Sequence, residues 1–304
     1  MLPFAPFSVE TPDTWAMCHA LLAAPGARLL AGGTDLLPSM KHRIFRPGAL
    51  VSTRRLPGFR DVADIAGGGL SLGAGLTLRD VARLRAVQGS YPALAAACTT
   101  IGTPTIQAMG TLGGNVMLDT RCVFYNQPEG WRAGIGGCLK CDGSMCHVAP
   151  KGKGCYAAHS ADTIPALWLY GASVELSSAE GTRVVFVADL YRDDGIAWHT
   201  VRPGEVLTRV MLPPPGATVV HRKLRTRAAI DYGLLLVAAE RSDAGYRAVV
   251  SAVGPRPIEV RGATPEALAE AAFLAVQPLG THLPPAPWRK KMVRVEVRRA
   301  AEGL

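Results

Sequence analysis

Between Arg121 and Ser160 lie 40 residues with seven glycines, no helical or alternating apolar period, and five of the chain's seven cysteines: Cys122, Cys138, Cys141, Cys146 and Cys155. A loop of that length inside a compact domain buries too little apolar surface to order itself, so it needs cross-links from elsewhere. Thiolates supply them by binding soft metals. The spacing C-x15-C-x2-C-x4-C-x8-C matches neither common ferredoxin pattern. Cys138 and Cys141, followed by Cys146 and His147 or Cys155, would also close a tetrahedral zinc knuckle. On spacing alone an iron–sulfur cluster, a zinc site and a metal-free set of buried thiols all stay open.

The rest of the chain sets the frame. With 304 residues, 48% of them apolar and 19% charged, it can bury a large core and divides into two or three domains. No run approaches the roughly 18 apolar residues of a membrane helix. Met1 to Glu10 has neither the basic nor the apolar part of a secretory signal, which points to the cytoplasm and to no membrane partner. A disulfide framework is therefore not expected, and Cys18 and Cys98, set among alanines, read as buried core thiols. The net charge of +9 is spread along the chain without a basic block, which argues against nucleic acid. Such a surface suits an acidic electron carrier or partner subunit, or is simply solvated.

Glycines recur at two other places. Ala27 to Ala31 reads as a short strand running into Gly32-Gly33-Thr34-Asp35, with a helix from Leu36 to Arg43. Glycines there let a ligand approach the backbone, and Thr34 or Asp35 is placed to cap the helix. Ile101 to Gln107 leads into Gly110-Thr111-Leu112-Gly113-Gly114-Asn115, a second loop able to grip the same pyrophosphate. Apolar spacing predicts helices over Val9 to Ala24, Thr77 to Val87, Tyr91 to Thr99, Asp162 to Tyr170 and Pro265 to Val276, and a basic one from Trp288. Strands are predicted over Leu70 to Leu76, Ala172 to Leu176, Arg183 to Val187, Val206 to Leu212, Leu234 to Arg241 and Tyr246 to Val253, with a boundary at Pro213-Pro214-Pro215-Gly216. Beside two such loops an electron-transferring cluster has a use that a zinc knuckle lacks.

These segments resemble the flavin-binding subunits of the molybdenum hydroxylases, nearly end to end. Leu29-Leu30-Ala31-Gly32-Gly33-Thr34-Asp35-Leu36 is similar to that family's first flavin pyrophosphate loop, and Gly110 to Asn115 to its second. Ser160-Ala161-Asp162, Pro203 to Leu207, and Lys223, Arg227, Asp231 and Tyr232 fit later family segments, while Gln107 stands where many relatives carry a basic residue. One branch, the beta subunits of the 4-hydroxybenzoyl-CoA reductases, inserts a cysteine-rich loop holding a [4Fe-4S] cluster, which Arg121 to Ser160 resembles. The resemblance implies Cys122, Cys138, Cys146 and Cys155 as its ligands, with Cys141 a neighbour.

The resemblance implies an α+β fold of two FAD-binding subdomains, residues 1–55 and 56–212 with the insertion at 121–160, and a smaller C-terminal α/β domain, 213–304. FAD would be held by residues 29–36, Ile101, Thr111, Leu112, Gly113, Gly114, Asn115 and Asp162, with Leu207 and Lys223 near its ring system. The chemistry would lie on a molybdenum-cofactor subunit that dehydroxylates 4-hydroxybenzoyl-CoA to benzoyl-CoA. This chain would pass electrons from ferredoxin through [4Fe-4S] and FAD to a [2Fe-2S] subunit, in a dimer of heterotrimers. Two other readings stay open: the flavin subunit of an aromatic or acyl-CoA hydroxylase sending electrons outward, and a zinc-stabilised scaffold or nucleic-acid module without redox activity.

Overall fold

The computed structural model describes residues 3–304, an α+β chain with three sheets. The first is parallel, in the order β1 (Ser8–Glu10), β3 (Ala49–Ser52), β2 (Arg28–Leu30). Parallel neighbours require crossovers, and the helices Trp15–Leu22 and Leu36–Lys41 provide them. The helix expected from Val9 is thus shorter and preceded by a strand. Pro12 disfavours a helical Thr11, and the Thr14 hydroxyl starts the helix by accepting from the Met17 amide at 3.2 Å.

The second sheet is antiparallel, β4 (Val62–Ile65), β5 (Gly69–Gly73), β8 (Val206–Leu212), β6 (Ser173–Ser178) and β7 (Gly181–Phe186), in the order 4-5-8-6-7. Between β5 and β6 the chain leaves the sheet through the helices Leu78–Arg83, Arg85–Ser90, Pro92–Thr99, Pro104–Met109 and Leu112–Val116 and then the cysteine segment. The helix predicted from Thr77 to Val87 breaks at Leu84, whose ψ of 122° is extended. Tyr91 locks the bundle to the sheet by donating its hydroxyl to the Pro213 carbonyl at 2.6 Å.

The third sheet runs β12 (Ile258–Gly262), β11 (Gly245–Ser251), β10 (Leu235–Ser242), β9 (Val219–Leu224). Alternate residues point to opposite faces of a strand. Leu235, Val237 and Ala239 of β10, with Ala248 and Val250 of β11, pack on the helices Pro265–Ala275 and Ala286–Glu302. Ala238 and Val249 face the main core, against the helix Ile164–Leu169, while β9 packs on the helix Pro92–Thr99. Both faces are covered, which explains the unbroken apolar run. Thr264 caps the first of the two covering helices, its hydroxyl accepting from the Ala267 amide at 3.2 Å. Thr264→Ala is expected to cost about 1 kcal/mol in urea unfolding. No helix among the described residues is long and apolar enough to cross a membrane.

Candidate functional site

The turn after β2 and the turn before helix Leu112–Val116 meet in space and line one cleft of about 800 Å³. Their glycines are required by close approaches of the chain and by backbone conformation. A β-carbon on Gly32 would sit 1.9 Å from the Met109 carbonyl oxygen, and one on Gly113 would lie 2.7 Å from the Ala74 β-carbon. Gly33 adds a left-handed φ of 70°.

The two loops are not equivalent. In the first, the amides of Gly32, Gly33, Thr34 and Asp35 donate to no protein acceptor among the described residues, and the exposed Thr34 hydroxyl is also unengaged. Asp35 does not cap the following helix; its carboxylate pairs with buried Arg121 at 2.5 Å. In the second loop the amides from Leu112 to Asn115 are consumed internally. Leu112 donates to Leu76 and Gly113 to Ala74, while the Thr111 hydroxyl accepts from Gly114 at 3.1 Å. Asn115 Oδ1 accepts from the Thr163 amide and hydroxyl at 3.1 and 2.7 Å, which leaves its Nδ2 for the cleft. One side of the cleft thus offers backbone donors and the other a side-chain amide.

Deeper in, Asp162 and Lys223 form a buried ion pair at 2.5 Å, with Lys223 Nζ also donating to the Thr100 carbonyl at 3.0 Å. Burial pushes the Asp162 carboxyl above the usual carboxylate value, and Lys223 works against that push. Leu29, Ala31, Leu36, Ile101 and Leu207 contribute apolar wall. Of the expected residues, Leu30 and Leu112 do not line the cleft. Strand alternation turns Leu30 away, and Leu112 is wholly buried in the main core.

The cysteine segment contributes to the cleft in a way its sequence did not announce. Tyr125 and Lys140 stand in the wall beside Asp119. Lys140 pairs with Asp119 at 2.6 Å and donates to the Thr120 carbonyl at 2.8 Å, and the Tyr125 hydroxyl donates to Asp119 at 2.8 Å. Local charge pairs, invisible without the fold, place these groups. Arg28, Phe45, Trp198 and Tyr232 complete the wall.

The thiols do not do what was expected of them. Among the described residues no group of three or more Cys, His, Asp or Glu side chains is placed to hold a metal ion. The [4Fe-4S] cluster assigned to Cys122, Cys138, Cys146 and Cys155 is therefore withdrawn, and the zinc knuckle with it. Cys122 and Cys138 pack with Tyr125 as part of a small apolar cluster, and Cys155 is buried against Gly195. Burial raises the Cys122, Cys138 and Cys141 thiols and pushes Cys155 up to about 11, so they stay protonated near neutrality.

A buried arginine supplies much of the cross-linking. Arg132, in the short helix Glu129–Gly134, bonds Asp142 at 2.8 Å and the carbonyls of His42, Gln127 and Arg43. Arg132→Met is expected to cost about 3 kcal/mol or more, because Asp142 and several carbonyls lose their partner. Limited proteolysis should show cleavage between residues 121 and 160 well before global unfolding.

Comparison with known proteins agrees with this geometry. Residues 5–215 match the family model described as the FAD binding domain in molybdopterin dehydrogenase. The chain is 33% identical over 271 residues to the aldehyde oxidoreductase FAD-binding subunit PaoB of Escherichia coli K12, covering 84% of each. It is 28% identical to the carbon monoxide dehydrogenase medium chain of Afipia carboxidovorans, covering 97% of this chain and 96% of that one. Among solved structures, quinoline 2-oxidoreductase from Pseudomonas putida 86 superposes with a TM-score of 0.78 at 22% identity, over 99% of both chains, a likeness of fold. These findings support the broad flavoprotein resemblance. They do not support the narrower 4-hydroxybenzoyl-CoA reductase branch, whose distinguishing cluster has no ligand set here.

Proposed function

We propose that this chain, which belongs to the family of FAD-binding domains of the molybdopterin dehydrogenases, is the electron-transferring flavin subunit of a hetero-oligomeric molybdenum-hydroxylase-type oxidoreductase. The observation that carries the reading is the cleft itself, which residues with four unpaired backbone amides line together with Asn115. Its volume lies within the range of cofactor sites, roughly 300–1,000 Å³. Unpaired donors gathered at a turn suit an anionic diphosphate.

In this reading the amides of Gly32, Gly33, Thr34 and Asp35 and the Thr34 hydroxyl hold one side of the pyrophosphate, and Asn115 Nδ2 the other. Thr111, Gly113 and Gly114 shape the loop that presents Asn115. Leu29, Ala31, Leu36 and Ile101 exclude water along the cofactor. Asp162 and Lys223 present a fixed dipole to the polar edge of the ring system, beside Leu207. FAD supplies a centre that exchanges electrons singly or in pairs. The protein's part is to bind it, keep it dry and fix its orientation.

Substrate chemistry then belongs to a partner subunit carrying the molybdenum cofactor, with a [2Fe-2S] subunit completing the assembly. The relatives named as an aldehyde oxidoreductase FAD-binding subunit and a carbon monoxide dehydrogenase medium chain support an oxidoreductase of which this chain is one subunit. The seven free thiols suit a reducing compartment such as the cytoplasm.

Titration of the full chain with FAD, followed by flavin fluorescence and equilibrium dialysis, tests the reading. One saturable FAD per chain, reducible by dithionite, is the expected result. Absence of saturable binding in folded protein would overturn it.

A further inference from the structure

On the reading that the cleft holds FAD, we propose that Arg28 stacked on Phe45 is the seat of the adenine ring, and that this pair makes the cleft select a dinucleotide over FMN. The Arg28 guanidinium carbon stands 3.8 Å from the centroid of the Phe45 ring, and both residues line the cleft. Arg28 is exposed, opens β2, and takes part in no ion pair or side-chain hydrogen bond among the described residues. A guanidinium seated over a phenyl ring on one side can offer its other side to a second planar group. Flat electron-rich bases stack on such cationic planes.

Position separates this role from phosphate binding. Gly32 follows Arg28 by four residue steps along β2 and its turn, a span of roughly 13 Å at about 3.3 Å per residue. With the pyrophosphate on the Gly32 turn, Arg28 stands about one nucleoside away. The walls around Arg28 desolvate its charge and hold it below the ordinary arginine value, while Asp119 and Tyr125 pull the other way. A guanidinium is more weakly hydrated than an ammonium and stacks readily on planar groups. FMN ends at a single phosphate and has no base to place there.

The test measures affinities of the full chain for FAD, FMN and ADP with Arg28→Lys and Phe45→Leu, after thermal melts establish that each apo variant folds. Base stacking of about 1–3 kcal/mol per base sets the scale: both variants are expected to weaken FAD and ADP about tenfold and leave FMN unchanged. Arg28→Lys keeps the charge and loses the plane, so retention of FAD affinity in that variant would assign a phosphate contact and overturn the proposal. An equal loss for FMN would place the pair under the isoalloxazine ring and overturn it too, as would no change in either variant. If wild-type protein binds none of the three ligands, the FAD reading itself has failed rather than the assignment of its adenine end.

Discussion

Lys223→Met is expected to lower stability by about 3–5 kcal/mol at pH 7, because it leaves the Asp162 carboxylate buried and uncompensated. The two side chains are 2% and 7% exposed, so the pair is largely shielded from solvent. The variant should also acquire a pH dependence that identifies the cause. Burial already raises Asp162 above its ordinary value of 3.8, and Lys223 is the principal force pulling it down. Without Lys223 the folded carboxyl binds its proton more tightly than the unfolded one. Stability is then greatest below the unfolded value and falls as pH rises through the folded one. Urea unfolding at pH 5 should accordingly return at least ~1 kcal/mol of the loss seen at pH 7. An equal loss at both values would mean that Asp162 is solvated in the variant, and that the pair is not the closed unit described.

Gly32→Ala is expected to abolish flavin binding and to destabilise the protein by about 3 kcal/mol, the upper end of overpacking costs. The new methyl would lie 1.9 Å from the Met109 oxygen and 2.7 Å from its carbon. Both are backbone atoms of Met109, the last residue of the helix Pro104–Met109 that leads into the second loop, so no side chain can swing away. The loops must part, and the amides of Gly32 to Asp35 move from their common focus. Gly89→Ala is the control, since its β-carbon meets nothing within 4 Å in the helix Arg85–Ser90. That change should raise stability by up to ~1 kcal/mol and leave flavin affinity alone. Flavin retention by Gly32→Ala would mean that close contact of the loops is not what shapes the cleft.

The two glycine turns were legible in the sequence because glycine between a strand and a helix has few uses. The reason for the glycines was not legible. They were expected to make room for a ligand, and Gly32 and Gly113 instead make room for Met109 and Ala74, partners that a linear reading cannot see. The cysteines show the opposite error. Their density is a local signal and a strong one, whereas the groups that fasten the segment are single charges reaching far along the chain, as Arg132 does across 90 residues to the His42 carbonyl. Strand β9 was passed over for a related reason. Val219–Leu224 carries His221, Arg222 and Lys223, which look solvated until Glu296 and Asp162 are brought opposite the last two. Arg28 and Phe45 stand 17 positions apart with nothing in either neighbourhood to join them.

The third sheet bears on how divisible the molecule is. The family match stops at residue 215, as though the remaining chain were an attachment. Yet the inner face of that sheet is the far wall of the main core, where Val219, Ala238 and Val249 close over Ile164 and Leu167. It also carries Lys223 to Asp162, and the connection between β9 and β10 brings Tyr232 to the cleft. A fragment ending near Pro215 would therefore not be a smaller flavoprotein. It would be a half-core with an unpaired buried acid, and shuffling of this C-terminal portion between proteins would have to carry its inward-facing residues along.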